Sequence, residues 1–296
     1  MSEEKFEQVF QVSGPARLIV KNIRGSVDIQ PGPEGTVQIT AIKHTDSGDA
    51  GSTEIELTQR SDGTVVAATH FPDGWWLWLI GSIPCRVDYV VKMPRNATLK
   101  VRGVSNRAYI DGLSGDFDIH SVSGDITLQN LGGAVLVNSV SGKISAKGLS
   151  GSLKLTSVSG RADVASSKLD SIHAKTTSGD LDVQTSLQNG PYSFNSVSGN
   201  VDLTLPTSAH YSAQLHSVSG KINSTFPMAY RSYRHGSHVV DVQGGGVMLS
   251  AQSVSGNLTL HADGNVQTAS TVNRREILEK LENGEISPDE ALEQMR

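Results

Sequence analysis

The chain has 296 residues, of which 30 are glycine and only 5% aromatic, and its formal net charge is -5. That acidic balance excludes a general attraction to nucleic acid or to an anionic membrane, and a glycine-rich, aromatic-poor chain fits a narrow repeat stack better than a bulky globular core. The single cysteine, Cys85, excludes an intramolecular disulfide and offers no metal-ligand spacing, so its expected place is a small buried hydrophobe in a reducing compartment.

The start, Met1-Ser2-Glu3-Glu4-Lys5-Phe6-Glu7, is charged and lacks the apolar core of a secretory signal, and nowhere do 18 apolar residues run together. A cytoplasmic location is the expectation. Residues 1–98 are β-rich without a period: 17–20, 26–29, 37–40, 54–57, 65–67 and 87–91 read as strands separated by Gly, Pro or Asp turns. Gly25-Ser26-Val27-Asp28-Ile29 already resembles the later rungs. A leading β-sheet cap is expected here, because a solenoid end would otherwise present a bare edge. All three tryptophans, Trp75, Trp76 and Trp78, fall within four residues. They are expected to form a hairpin folded over the end of the stack, with a partner or membrane contact as the alternative.

From residue 99 to 263 the chain is periodic. Ser-Val-Ser-Gly occurs at 121–124, 139–142, 157–160, 196–199, 217–220 and 253–256, with Thr176-Thr177-Ser178-Gly179 as a degenerate copy, so the glycines advance by 18, 18, 19, 20, 21 and 36 residues. A period of this length marks stacked supersecondary units. Half-copies at 113–115, 131–133 and 149–151 leave room for two short strands per coil. Two apolar columns precede each tetrapeptide, Phe117/Val135/Leu153 and Ile119/Val137/Leu155, and two follow it, Ile126/Ile144/Ala162 and Leu128/Ala146/Val164. Equivalent positions should therefore stack about 4.8 Å apart in parallel sheets. The last spacing of 36 holds an insertion, 226–246, with Tyr230, Arg231, Tyr233, Arg234, His235 and His238. It reads as a solvated excursion, with anion binding as the alternative.

After Gly264 the composition turns to Glu, Arg and Leu. Asn273 with Glu276, and Ser287-Pro288-Asp289-Glu290, are two capping boxes, so 264–296 is expected to be a linker and a two-helix hairpin broken at Asn283-Gly284. Its apolar stripes, Ile277, Leu278 and Leu281 on one helix and Leu292 and Met295 on the other, are expected to bury against the open end of the stack, the tryptophan patch at 75–78 or, as the favoured reading, the same hairpin of a second copy.

Cys85-Arg86-Val87-Asp88-Tyr89-Val90-Val91-Lys92-Met93-Pro94, then Leu99-Lys100-Val101, then stacked Ser-Gly-Asp-Ile and Leu-Ser-Gly rungs, resemble the bacterial "putative adhesin" β-strand repeat family of unknown function over most of residues 10–262. The tail from Glu276 resembles the hairpin called short C-terminal domain-like. The resemblance implies a β-helix with a scaffolding, envelope-stress or surface-interaction role, and carries no catalytic residues.

One column holds the best chemical candidates, with Asp163, Asp182 and Asp202 on consecutive rungs and Asp180 close by. Polysaccharide lyases on β-helices display carboxylates this way, with Ca²⁺ on hard oxygen ligands and a basic residue, here Arg161, as base. Two like charges about 5 Å apart cost about 0.8 kcal/mol at ε near 80 and about 3 kcal/mol at ε near 20, so a solvated ladder needs no metal. Arg161 beside Asp180, and Lys143 beside Asp125, would offset part of that, and the ladder is the favoured reading. His120 and His216 share a column that is polar on every rung, and neither is expected to be a ligand. The abundant serines are explained by turns, and no phosphate loop, Rossmann fingerprint or zinc spacing occurs.

The expectation is therefore a mainly β protein: a parallel, right-handed β-helix over 99–263, an N-terminal β-sheet cap over 1–98 and a C-terminal helical hairpin. Its expected role is a non-enzymatic scaffold or interaction protein with no cofactor, no nucleic acid and an unknown protein partner, self-associating through the hairpin. The alternative is a lyase-like carbohydrate-active enzyme using the acidic face.

Overall fold

The structure is a computed structural model that describes residues 2–72, 83–226 and 237–263, together with the backbone of 229–234. Among these residues every regular element is a strand, and the strands join into one continuous solenoid. Trp75, Trp76, Trp78 and the expected hairpin with Ile277, Leu278, Leu281, Leu292 and Met295 lie outside the described residues.

The coils start earlier than the tetrapeptide repeat. The first strands are β1 (Glu3–Gln11), β2 (Ala16–Pro31), β3 (Thr36–His44), β4 (Glu54–Gln59), β5 (Val65–His70), β6 (Arg86–Met93) and β7 (Asn96–Asp111). β2 and β7 are each long enough to make a whole coil, and they pair in parallel from Ala16↔Ala97 to Ile29↔Ile110. On the other side of β2 lies a coil made of β5 and β6, with Leu18 opposite Val65 and Gly25 opposite Val87. The antiparallel strands are the cap proper: β1 pairs with β3, β3 with β6, and β4 with β5. Charged side chains blunt its outer edges, with Glu3, Glu4, Lys5 and Glu7 on β1 and Glu54 and Glu56 on β4.

Regular coils follow. β8 (Ser114–Ser123) and β9 (Ile126–Gln129) make one, β10 (Gly132–Ser141) and β11 (Ile144–Lys147) the next, and β12 (Ser150–Ser157) continues into β13 (Ala162–Thr176). Each coil places one strand on a long-strand face and one on a short-strand face, and the parallel register matches the sequence columns: Val135 meets Phe117 and Leu153, and Ile144 meets Ile126 and Ala162. β13 spans two faces, because 162–165 pair with β11 and 168–176 with β12. β14 (Leu181–Leu187) and β16 (Val201–Pro206) extend the short-strand face by two rungs, and β15 (Tyr192–Ser196) extends the long-strand face by one. Inward side chains such as Phe117, Ile119, Ile126 and Leu128 are fully buried, each contributing roughly 1.5–3 kcal/mol, and Leu113, Leu131 and Leu149 fill one corner.

The last coils depart from sequence order. β17 (Tyr211–Ser217) and β18 (Ile222–Ser224) do not stack on β15 and β16. That place belongs to β21 (Val247–Ser253) and β22 (Leu258–Asp263), which lie between the two pairs, with Leu249 touching both Tyr192 and Ala213 and Leu258 both Val201 and Ile222. The insertion is not a solvated excursion either. It forms β19 (Ala229–Arg234) and β20 (Ser237–Val242), and β20 pairs antiparallel with the outer edge of β17 and buries Val240 and Val242 completely. Covering that edge is what the 36-residue spacing supplies.

Candidate interaction surface

Each residue of the tetrapeptide has a separate task. The first is inward and buried, as at Ser121, Ser139, Ser157, Thr176, Ser196, Ser253 and Ser217. From Ser157 onward this hydroxyl accepts the N–H of the glycine three residues later, at 2.8 to 3.2 Å. The third residue donates its hydroxyl to the carbonyl oxygen of the second residue one coil below: Ser123 to Val104, Ser141 to Val122, Ser159 to Val140, Ser178 to Val158, Ser198 to Thr177, Ser255 to Val197 and Ser219 to Val254, all between 3.1 and 3.3 Å. The fourth must be glycine because the coils touch there. A Cβ on Gly142 would lie 2.3 Å from the carbonyl oxygen of Gly124, and one on Gly256 would lie 2.0 Å from that of Gly199.

The second residue points outward. Val104, Val122, Val140, Val158, Val197, Val254 and Val218 are 43–67% exposed and follow one another in that spatial order, with Thr177 between Val158 and Val197. Eight rungs make a ridge roughly 34 Å long at about 4.8 Å per step. It is uncharged, and its serine hydroxyls and the carbonyls beneath them are engaged by the ladder. A shallow groove lined by Arg102, His120 and Asn138 runs along Val122, Val140 and Val158.

Two copies of the unit escape a search for Ser-Val-Ser-Gly. Asn22-Ile23-Arg24-Gly25 and Gly103-Val104-Ser105-Asn106 occupy the same corner, with Asn22 opposite Gly103 and Gly25 opposite Asn106. In the second copy the end residues have traded places. Asn106 is 3% exposed, and its amide fills the space a side chain on Gly103 would need.

On the short-strand face, the residue after the glycine caps the next coil. Asp125 accepts the backbone N–H of Lys143, Asp180 that of Asn200, Asn200 that of Asn257 and Asn257 that of Lys221, at 2.9 to 3.0 Å. Asp163, Asp182 and Asp202 do stand in register, but Asp180 belongs to the capping column. Arg161 does lie beside Asp180 and is attracted by it, but its guanidinium makes its direct contacts elsewhere, 2.6 Å from Asp163 and 3.3 Å from Asp182, and the Lys143 ammonium is 2.8 Å from Asp163. Burial pushes the Asp163 carboxyl up, yet the hydrogen bonds from Lys143 and Arg161 outweigh it and hold it below the ordinary range. Among the described residues no three His, Cys, Asp or Glu side chains are grouped to hold a metal ion.

Elsewhere ionisable groups are paired in the same manner. His120 lies 2.8 Å from Asp118, which also binds Arg102 at 2.6 Å. Asp88 accepts from Ser26 at 2.7 Å and lies 2.8 Å from both His44 and Arg86. Here the carboxylate, not the histidine, is the central group, so Ser26 has no base to activate it. Cys85 is buried, and its N–H donates to Thr53.

The profile of the Toastrack DUF4097 family matches residues 26–261. No curated protein matches the chain. Among solved structures, a "putative adhesin" from Parabacteroides distasonis is 12% identical with a TM-score of 0.44, covering 87% of this chain and 97% of its own. Another from Bacteroides fragilis is also 12% identical with a TM-score of 0.41, covering 88% and 98%.

Proposed function

The chain belongs to the Toastrack DUF4097 family, and from that premise we propose that it acts without catalysis, as a rigid scaffold that presents a lateral surface to macromolecules. The observation that carries this reading is the valine ridge, an apolar edge interrupted only by Thr177 whose roughly 500 Å² lies in the range of functional surface patches. A lyase-like role would need Arg161 available as a base, whereas its guanidinium is held between Asp163 and Asp182. A place in envelope stress or surface assembly is the setting the family resemblance suggests.

The test is a photoreactive side chain at Val140, introduced into the full protein in its native cell, with the exposed Lys147 on the other face as control position. A macromolecular adduct at Val140 and none at Lys147 is the expected result. No adduct at Val140, or polysaccharide cleavage by the purified protein that disappears in Arg161→Ala, would overturn the reading.

A further inference from the structure

We infer that the ridge packs against the ridge of a second copy of this chain, antiparallel about a twofold axis; this rests on the scaffold reading and names its partner. Spacing favours that occupant. The side chains repeat at one strand separation, about 4.8 Å, whereas alternate side chains of an extended peptide repeat at about 6.6 Å and drift out of step. A second solenoid edge carries the same step and stays in phase along the whole length.

Area points the same way. Valines exposed by about half offer roughly 500 Å² of apolar edge, within the range of a functional patch. Two such edges bury about 1,000 Å², the threshold for a specific interface. The ridge itself carries no charge, so an isologous contact sets no like charges face to face along its centre.

The flanking column fixes the direction. With the twofold axis between the Val158 and Thr177 rungs, the rung of Arg161, whose guanidinium stays with Asp163 and Asp182, comes opposite the rung of Asp180, twice, so no like charges of this column meet at the axis. Lys143 then faces Asn200, Asp125 faces Asn257, and only Arg107 against Lys221 at the rim sets like charges together. End-to-end growth is discouraged by the charged β1 and β4 edges and by β18, which is three residues long.

Sedimentation velocity on the full-length protein tests the inference, with Val140→Lys/Val158→Lys as the variant. Both sites are exposed, so the fold should persist, which circular dichroism checks. The native protein should dimerise at micromolar concentrations, and the variant should raise the dissociation constant at least about 100-fold. Two further variants, Val158→Cys and Thr177→Cys made singly, should each be linked to a second copy across the axis by a short bis-maleimide, and buried Cys85 leaves that readout clean. A native monomer, a dimer indifferent to the lysines, or no cross-link at these positions would each overturn it. An adduct at Val140 with a different macromolecule would overturn self-association while leaving the scaffold reading in place.

Discussion

Gly103 and Asn106 should behave as one unit in a double-mutant cycle. A Cβ on Gly103 would sit 1.6 Å from Oδ1 and 2.5 Å from Cγ of Asn106, so Gly103→Ser must expel a buried amide, at a cost of roughly 2–3 kcal/mol for overpacking. Asn106→Gly loses packing and adds about 0.5–1 kcal/mol of chain entropy. It also removes an amide oxygen that has no hydrogen-bond partner among the described residues, worth about 1–3 kcal/mol, so the net change should be small. Together the substitutions restore the serine and glycine that the next coil carries at 121 and 124, and the double variant should be close to native. The coupling energy is then about 2 kcal/mol in favour of the pair. Urea unfolding followed by circular dichroism measures all four corners of the cycle. Effects that simply add would show that the two residues do not share one space, and would remove Gly103-Val104-Ser105-Asn106 from the repeat.

The same packing sets three further outcomes. Gly142→Ala, whose Cβ would meet the Gly124 carbonyl oxygen at 2.3 Å, should destabilise by more than about 4 kcal/mol, whereas Gly63→Ala, with nothing within 4 Å and φ at +80°, should cost only about 1–2 kcal/mol in thermal melts. Tyr211→Phe should be neutral or stabilising by about 1 kcal/mol in urea, because the fully buried Tyr211 hydroxyl has no partner among the described residues. At Asp88, burial raises the carboxyl pKa but the hydrogen bonds from Ser26, Arg86 and His44 outweigh it, so the folded value lies below the unfolded one near 4. The stability this contributes is present above pH 4 and lost as pH falls through the folded value. Asp88→Asn should therefore be less stable than native at pH 6, with the gap closing towards pH 3, and a gap constant with pH would refute it.

Much of the solenoid was legible because the repeat dictates its own register: Phe117 over Val135 and Ile126 over Ile144 follow from the columns alone. The same uniformity hid the coil order. The tetrapeptides ending at Gly220 and Gly256 are identical, so exchanging them changes no column, and only an edge needing cover distinguishes the two arrangements. The copies at Asn22 and Gly103 were missed because polar and glycine positions vary or trade places where the corner is packed differently. Valine exposure had a signal that hydrophobicity obscured. Strand alternation puts the residue after an inward serine on the outside, whatever its type. For the acidic column the sequence placed Asp163, Asp182 and Asp202 together but not the direction of Arg161, because a long side chain chooses among carboxylates only once the backbone is fixed.

The exchanged coil order bears on how the rod holds its ends. In the middle of the stack a ladder bond such as Ser141 to Val122 joins residues 19 apart, whereas at the inserted coil Ser255 reaches Val197 across 58, and near the start Asn22 reaches Val87 across 65. Lengthening a closed loop from 19 to 58 residues costs only about 1 kcal/mol. What it changes is the chain that can fray. In a solenoid stacked in sequence order the outermost coil is a free tail, and detaching it releases full chain entropy. Here β17 to β20 are an internal loop anchored by β16 on one side and by β21 and β22 on the other. The second-last coil is gripped between two parallel neighbours, so the terminal coil opens only as a closed loop with less entropy to gain. A frayed final coil would carry Val218 and then Val254 out of line with the other exposed valines.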